Sequence, residues 1–471
     1  MIKKSALFLG LTAAIYLHAQ DVSVIRNTAE IYSNSNDLGT ARYNAMAGSM
    51  GALGGDISSI NTNPAALGVF ITGDVSGTLN IHNSTNTSSL AGRSISYDVN
   101  KTDLGQAGAV MVFENSNRNS WKFINVGVNY SNKTIEDYIE TPGNANIKLI
   151  SQPDNISRDY AGHAYNRYGN RSTLNISLAG NYENKFYIGG NLNFHSANID
   201  QSDTALFTGV NYNFSKQFTP FSENSNGFSA SFGVIGKVNN QFRLGASLET
   251  PIFWKIERLY NEYGYKNNLV TQTRYNEDRT LTSPMKATIS GAFVANKNFA
   301  INVDYTLGLS KPKYKVQGDA EKELNTFFND NYNNLSELKI GGEYRLDAFR
   351  IRAGYGFLNN PFKDITATAF NNSGAVSDVA YSNFLLGKRN TIGAGVGYNF
   401  KSFYVDLAYQ NVTSEYYNPF LRGFEFTNNA GEVTFATGYF GDAVDVTNSV
   451  SAVSHVKNKM NNIYLTAGWK F

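Results

Sequence analysis

Residues 299–309, FAINVDYTLGL, alternate without interruption: Phe299, Ile301, Val303, Tyr305, Leu307 and Leu309 fall on one side, and Ala300, Asn302, Asp304, Thr306 and Gly308 on the other. Consecutive side chains of a strand point to opposite faces, so this stretch makes a ribbon greasy on one face and wet on the other. The pattern recurs in NTIGAGVGYNF, through Ile392, Ala394, Val396, Tyr398 and Phe400. It recurs again in FRIRAGYGF, through Phe349, Ile351, Ala353, Tyr355 and Phe357, whose other face carries Arg350 and Arg352. A strand of a membrane barrel needs this arrangement, with apolar side chains toward lipid and polar ones toward a wet lumen. The alternative, a soluble sandwich, would have to leave aromatic residues facing outward on nearly every strand.

Charged residues are 17% of the chain, while Gly (42), Tyr (29) and Phe (31) are abundant; an ordinary soluble protein is roughly a quarter charged. At 471 residues the chain has room for two or three soluble domains or for one large barrel. The net charge of +2 provides no broad basic surface, which argues against nucleic acid as a partner. With no cysteine, disulfides and thiol chemistry are excluded. Residues 1–19, MIKKSALFLGLTAAIYLHA, carry two lysines, an apolar stretch from Ala6 to Leu17 and a small residue at Ala19, the pattern of a secretory signal. The same stretch read as a membrane anchor is too short for a bilayer core of about 30 Å. Nothing later reaches the ~18 consecutive apolar residues of a spanning helix, so an exported chain of this kind is periplasmic, secreted or a barrel; the alternation selects the barrel.

Five short turns, ENK, NNQ, NKN, LDA and FKS, each lead into a phenylalanine, at Phe186, Phe242, Phe299, Phe349 and Phe403, spaced by 50 to 57 residues. Each unit reads as a strand, a long loop and a returning strand. The expected strands lie near 69–81, 104–114, 121–130, 173–183, 186–197, 227–238, 241–250, 283–294, 299–309, 336–346, 349–357, 389–400, 403–410 and 461–471. An all-β transmembrane barrel of about fourteen antiparallel strands follows, spanning 67–471, with both termini on the short-turn side and the phenylalanines as an aromatic girdle. The chain ends IYLTAGWKF, with Ile463, Leu465, Ala467, Trp469 and Phe471 in phase. This ending resembles the strand signature by which bacterial outer-membrane barrels are recognised by their assembly machinery, which makes that machinery an expected partner through Phe471.

The long loops are rich in Asn, Ser, Thr and Gly. TIEDYIE spaces Ile135, Tyr138 and Ile139 at helical intervals, DAEKELNTFFNDNY does the same for Ala320, Leu324, Phe327 and Phe328, and TPIFWKIERLY sets Phe253 and Trp254 just past a strand end. These residues either pack the loops together or contact a hydrophobic ligand. Residues 20–66 show no alternation but are dense in Gly, Ala and Ser, as suits a segment folded into a confined lumen: an N-terminal hatch. At its end, Pro64 fixes φ, Ala65 and Ala66 leave room for neighbours, and Asn63 is placed to bond local backbone. That corner is either a capping turn alone or one that also shifts when ligand binds. In SWKFINVGVNY, Ile124, Val126, Val128 and Tyr130 are out of phase with Trp121 and Phe123. The third strand is therefore expected to kink or break between residues 121 and 128, with Gly127 easing the bend, unless Phe123 simply faces the lumen.

LGTAR, GALGGD, the Asn63-Pro64-Ala65 corner, SPMKATISGAF, LKIGGEYRLDAFRIRAGYGF and the aromatic terminus stand in this order along the chain. Together they resemble the long-chain fatty acid and aromatic hydrocarbon transporters of the outer membrane, the FadL and TodX group, over essentially the whole mature chain. The resemblance implies a fourteen-stranded barrel plugged by its hatch, in the outer membrane of a Gram-negative-type bacterium. It implies passive uptake of hydrophobic small molecules without ATP or TonB-type coupling: capture by outer loops, holding in the lumen, and lateral release into outer-membrane lipid through the third strand after hatch movement. No cofactor or metal is implied. One branch of the group partners a protein secretion system and shares the corner, and that reading stays open, as does haem uptake through His163 and His455. An enzyme is not expected. His82 and Ser84 share a face but no carboxylate is placed to orient the histidine, and His195 and Ser196 point to opposite faces. Arg350 or Arg352 either pairs a ligand carboxylate or bridges to Asp304, Asp406 or Glu249.

Overall fold

The computed structural model describes residues 22–34, 38–115, 120–151, 156–208, 217–266, 269–316, 319–427, 433–437 and 450–471; the expected signal segment lies outside them. Fourteen antiparallel wall strands run in chain order: β1 Asp74–Leu90, β2 Arg93–Glu114, β3 Trp121–Ser151, β4 Ile156–Tyr182, β5 Phe186–Phe207 and β6 Gln217–Lys237. The next three are interrupted: β7 (Phe242–Glu249, then Phe253–Lys266), β8 (Leu269–Thr282, then Lys286–Val294) and β9 (Phe299–Gly308, then Lys313–Lys315). The series ends with β10 Ser336–Leu346, β11 Phe349–Leu358, β12 Arg389–Phe400, β13 Phe403–Thr427 and β14 Val450–Lys470. Each pairs with the next, and β14 pairs with β1 from Ser89↔His455 to Asp74↔Lys470, closing the cylinder. Closure leaves no sheet edge, as a wall in lipid requires.

Local chemistry sets the turns. Glu183 and Asn184 both take the left-handed conformation, with φ of 51° and 55°, which matches the twist of the strands they join. At the turns before Phe242 and Phe299, the side chains of Asn239 and Asn296 accept from the backbone N–H groups two and three residues on, the latter that of the phenylalanine. Phe186, Phe242, Phe299 and Phe349 stand exposed at this rim, and above them Ile188, Leu192, Leu244, Ile351 and Leu465 continue a lipid-facing band. Pro251 and Pro284 interrupt adjacent strands, where a missing N–H breaks the ladder; Ile252 N bonds Ser283 Oγ at 2.8 Å across the gap.

Several expected boundaries move. The strands continue well above the apolar band, and much of what reads as long loop is paired strand. TIEDYIE is not a helix: residues 134–140 lie within β3 and pair with β4, so Ile135 and Ile139 face inward and Tyr138 outward. The other loop helix is present, as α3, Asp319–Asn331. β1 starts at Asp74 rather than 69, because Pro64–Val69 forms a 3-10 turn. His163 and His455 sit in β4 and β14, His163 buried and stacked on Phe420, His455 beside Glu415. β3 has its register shift between Trp121 and Phe123, which resolves the phase conflict, but it pairs with β2 and β4 without a gap from Phe123 through Ser131. Of the kink or break expected at 121–128, the strand shows only this shift at its start, and Phe123 and Gly127 mark no opening.

Inside lies the hatch: α1 (Val22–Asn27, extended by a wider turn Thr28–Tyr32), α2 (Ala41–Ala45) and the 3-10 turns Ile57–Asn61 and Pro64–Val69. Thr40 caps α2, its Oγ1 accepting from Tyr43 N at 3.1 Å. The described chain begins at Val22 in the lumen toward the long-loop end, where Arg26 meets Asp137 and Tyr416, and not at the short-turn rim where Phe471 ends. On the inner wall a belt of polar side chains links seven strands: Thr466–Thr78–Gln106–Asn129–Asn175–Asn193–Ser229.

Candidate functional site

The corner at Asn63 pins the hatch. Asn63 Oδ1 accepts from Ala65 N at 3.0 Å, and Nδ2 donates to Gly51 O at 2.9 Å and to Val234 O on β6 at 3.1 Å. A Cβ at Gly233 would overlap this amide, so the wall is bare where Asn63 docks. Pro64 occupies the first position of the 3-10 turn, where no N–H is needed, and Ala65 and Ala66 are fully buried against Tyr187 and Ile235. Gly127 serves the hatch too: a Cβ there would lie 2.9 Å from Leu67 and 3.3 Å from Ile57. The wall also bonds hatch backbone through Asn125 to Leu67 O (2.7 Å), Asn191 to Ile60 O (3.0 Å) and Asp304 to Gly51 N (3.1 Å).

Between α1 and the rest of the hatch is a cavity of about 190 Å³. Its apolar side is made by Ile31, Leu38, Ile135, Leu335, Leu358 and Val412. Its polar side is a network of two buried arginines and two carboxylates, of which Glu30 is partly exposed. Arg26 Nη2 reaches Asp137 Oδ2 at 2.8 Å; Arg167 Nη2 reaches the same oxygen at 3.1 Å and Glu30 Oε2 at 2.6 Å. Arg26 Nη1 and Arg167 Nε are buried without a hydrogen-bond partner. Burial works to raise the Glu30 carboxyl, but Arg167 and Arg26 outweigh it and hold the group at about 2.

The cavity is roofed by one apolar cluster, in which α1 (Val24, Ile25) packs against α3 (Leu324, Phe328) and the loop around Phe362 and Phe384. Of the residues expected to meet ligand, Ile135, Trp254 and Phe328 are buried in this roof and Phe327 packs against it. Trp254 donates from Nε1 to Tyr32 O at 3.1 Å and meets the Tyr32 ring edge-on at 5.1 Å. Ile139 belongs to a smaller group with Tyr165, Tyr416 and Val456. Tyr138 and Phe253 are not in the site: on the outer face, Tyr138 meets Tyr97 and Phe253 is 58% exposed. Tyr138 precedes inward Ile139 and Phe253 precedes inward Trp254, and neighbours in a strand necessarily point opposite ways.

The cavity reaches the wall at one seam. β2 and β3 pair only from Glu114↔Phe123 to Gln106↔Ser131. Above Gly105, β2 stays paired with β1 but not with β3. There the wall is closed by side chains: Asp103 with Thr134, Lys101 with Glu136 at 3.4 Å, Tyr97 against Tyr138, and Asn86 of β1 reaching Asp137 at 2.9 Å. Asn80, His82 and Ser84 of β1 and residues 133–137 of β3 line the cavity at this point. The network of Arg26, Glu30, Asp137 and Arg167 is missed by sequence reasoning; its one signal is a carboxylate between two inward isoleucines once 135–139 is read as strand. Of the lumen bridges expected, Arg352 pairs Asp406 at 2.6 Å, Asp304 serves hatch backbone, Glu249 lies 3.9 Å from Lys286, and Arg350, among the described residues, bonds only backbone oxygens. His82 Nδ1 is 2.5 Å from Asn462 Oδ1, and among the described residues no His, Asp and Glu side chains gather to hold a metal.

No family model matches the chain, and no curated protein matches it in sequence. Solved structures do match in fold. A FadL homologue from Pseudomonas aeruginosa superposes with a TM-score of 0.55 at 14% identity, over 92% of this chain and 98% of its own. The toluene transporter TbuX of Ralstonia pickettii gives 0.52 at 13% identity, over 92% and 99%, and the monoaromatic hydrocarbon channel CymD gives 0.52 at 11%, over 93% and 99%. What they share is the fold, a β-barrel, which in this chain is filled by its own N-terminal segment.

Proposed function

We propose that the protein is an outer-membrane channel for passive entry of hydrophobic small molecules. The observation that carries this reading is an apolar-sided cavity inside a lipid-facing barrel, sealed below by the chain's own hatch and bounded at one seam by side chains alone. The structural neighbours, among them a FadL homologue, the toluene transporter TbuX and the monoaromatic hydrocarbon channel CymD, support it. A cavity of about 150 Å³ holds benzene, so 190 Å³ accommodates one monoaromatic with the hatch at rest. A long acyl chain needs more room and must displace α1. Each buried methylene then contributes about 0.8 kcal/mol, enough for affinity without specific chemistry.

In this reading the aromatic roof collects ligand, the cavity holds it, and Arg26 and Arg167 receive a carboxylate where one is present. Passage sideways occurs at the β2–β3 seam, whose lower end, Leu104 and Tyr130, meets the outer rim of the lipid-facing band. The short turns and Phe471 face the periplasm, where the aromatic terminus meets the assembly machinery. No residue is assigned a catalytic role. The test is uptake of labelled oleate and toluene into proteoliposomes by a D103C/T134C variant. Oxidation, which staples the seam, is expected to stop both; equal uptake in oxidised and reduced forms would refute lateral passage.

A further inference from the structure

We propose that the short-turn mouth of the barrel, below the hatch, is a binding vestibule for an oxyanion, a carboxylate or phosphate, separate from the lumen cavity. It encloses about 320 Å³ between the hatch residues Arg42, Leu53 and Asp56 and the wall. Seven cations and four carboxylates line it, and the carboxylates are already engaged. Glu343 is held by Arg42 (2.8 Å), Arg345 (2.7 Å) and Arg352 (2.7 Å), and Asp406 by Arg352 (2.6 Å). Asp56 accepts from Thr40 Oγ1 at 2.7 Å and from Ser58 N at 2.9 Å, and Asp74 from Tyr404 OH at 3.0 Å.

Four cations remain for which no carboxylate among the described residues forms an ion pair: Arg243, Arg350, Lys297 and Lys470. Arg243 spends one N–H on Leu53 O at 3.0 Å, and its Nε is buried without a partner. Arg350 donates from Nη1 to the backbone oxygens of Asp347 and Phe349 and keeps its other N–H groups for the mouth. Lys470 lies over the Tyr404 ring at 5.3 Å, and Lys297 stands exposed at the rim. Like charges crowded in a confined, low-dielectric mouth repel unless an anion joins them, and such a mouth concentrates anions. A guanidinium with free N–H groups supplies the paired donors an oxyanion takes. Leu53, Val69 and Val294 beside the cations leave an apolar margin, which admits an alkyl tail on that anion. Because Arg42 belongs to the hatch and bonds Gly55 O at 2.5 Å, an anion here touches the element that stoppers the lumen.

This inference stands whether or not hydrophobic molecules cross the barrel, because binding is read directly. The full chain in neutral detergent is titrated by calorimetry with inorganic phosphate and, separately, with octanoate. One site per barrel is expected, weakened about tenfold for each arginine lost in R243Q and R350Q, the value of a charge-assisted hydrogen bond. Neither arginine supports a carboxylate, so neither change strands a buried anion. K470Q, at the exposed rim, repeats the measurement should an arginine variant fail to fold, and added salt must weaken binding in the intact chain. Equal affinity for phosphate and octanoate assigns a free oxyanion; tighter octanoate assigns an alkyl-bearing one. Absence of saturable binding by both, or unchanged affinity in the variants, overturns the proposal.

Discussion

Replacing Asn63 by alanine cuts the hatch from the wall at its best-bonded point. The change leaves Ala65 N, Gly51 O and Val234 O without the partners they have at 3.0, 2.9 and 3.1 Å, at a position with no solvent exposure. A buried polar group stripped of its partner costs about 1–3 kcal/mol. Three of them, with the carbonyls keeping some alternative contacts, amount to about 3–6 kcal/mol, in which the cap of the 3-10 turn is already counted. Pro64→Ala removes only a preset φ and restores freedom to the unfolded chain, worth about 0.5–1 kcal/mol. The two neighbours in one motif therefore differ by at least about 2 kcal/mol, some thirtyfold in the population of a released hatch.

Hydrogen exchange read by mass spectrometry on peptides covering residues 46–56 measures that population in detergent. N63A is expected to lower protection by at least about 150-fold there and P64A less than tenfold, while β14 stays unchanged in both. G233A should copy N63A, since its methyl takes the space of the Asn63 amide. Equal effects of N63A and P64A, or loss of protection throughout the wall, would refute the argument that the amide rather than the proline ring secures the hatch.

Two further outcomes follow from the geometry. Glu30 is held at about 2 against an ordinary 4.5, so its ion pairs stabilise α1 fully above about 4.5 and lose that contribution as pH falls toward 2. In a chain with Trp121 and Trp469 replaced by phenylalanine, Trp254 emission should be flat from pH 8 to 5 and shift to the red below about 4.5; a transition centred near pH 6 contradicts this. Gly127→Ala places a methyl 2.9 Å from Leu67 and should cost the hatch about 1–3 kcal/mol by overpacking, seen as faster hatch proteolysis with unchanged exchange at 123–131; a change in the strand instead would return Gly127 to a kink.

The wall was legible because lipid imposes period two on every strand, and fourteen strands could be counted from that period and from the phenylalanine after each turn. The signal stops where lipid stops. Above Ile81 the outward positions of β1 are Asn83, Thr85 and Thr87, which bond Asn100, Asp98 and Ser96 across the hairpin. Strand pairing continues there with no apolar face to reveal it. Ile135, Tyr138 and Ile139 fit a helical interval equally well, and what decides for strand is the pairing of 134–140 with residues 164–170 of β4, a partner the local sequence does not reveal. The corner at Asn63 was visible as a motif, but its role depends on Gly233, and a bare spot on a distant strand has no local signature. The ion network behind the cavity joins α1 to β3 and β4 and was likewise beyond local patterns.

The two halves of the hatch are held by different physics, and this decides which half moves. From Ala41 to Val69 backbone lies against wall glycines: Cβ atoms at Gly189, Gly341 and Gly354 would overlap Pro64 or Met46. Packing of that kind has no intermediate positions. From Val22 to Tyr32 the hatch is instead held by side chains: the network of Arg26, Glu30, Asp137 and Arg167, hydrogen bonds of Thr28 to Tyr314 and of Tyr32 to Glu223, and the apolar cluster around Val24 and Ile25, the charged and apolar parts of which a ligand carboxylate and alkyl chain can replace in kind. In the proposed uptake, ligand-driven opening therefore belongs to α1 and not to the Asn63 corner. Gln201 Nε2 donates to Ser23 Oγ at 2.5 Å, so an S23C/Q201C disulfide locks α1 to β5. Oxidation should block oleate, which needs the extra volume, and spare toluene, which fits the resting cavity of about 190 Å³. Loss of both, or of neither, would show that the moving part lies elsewhere.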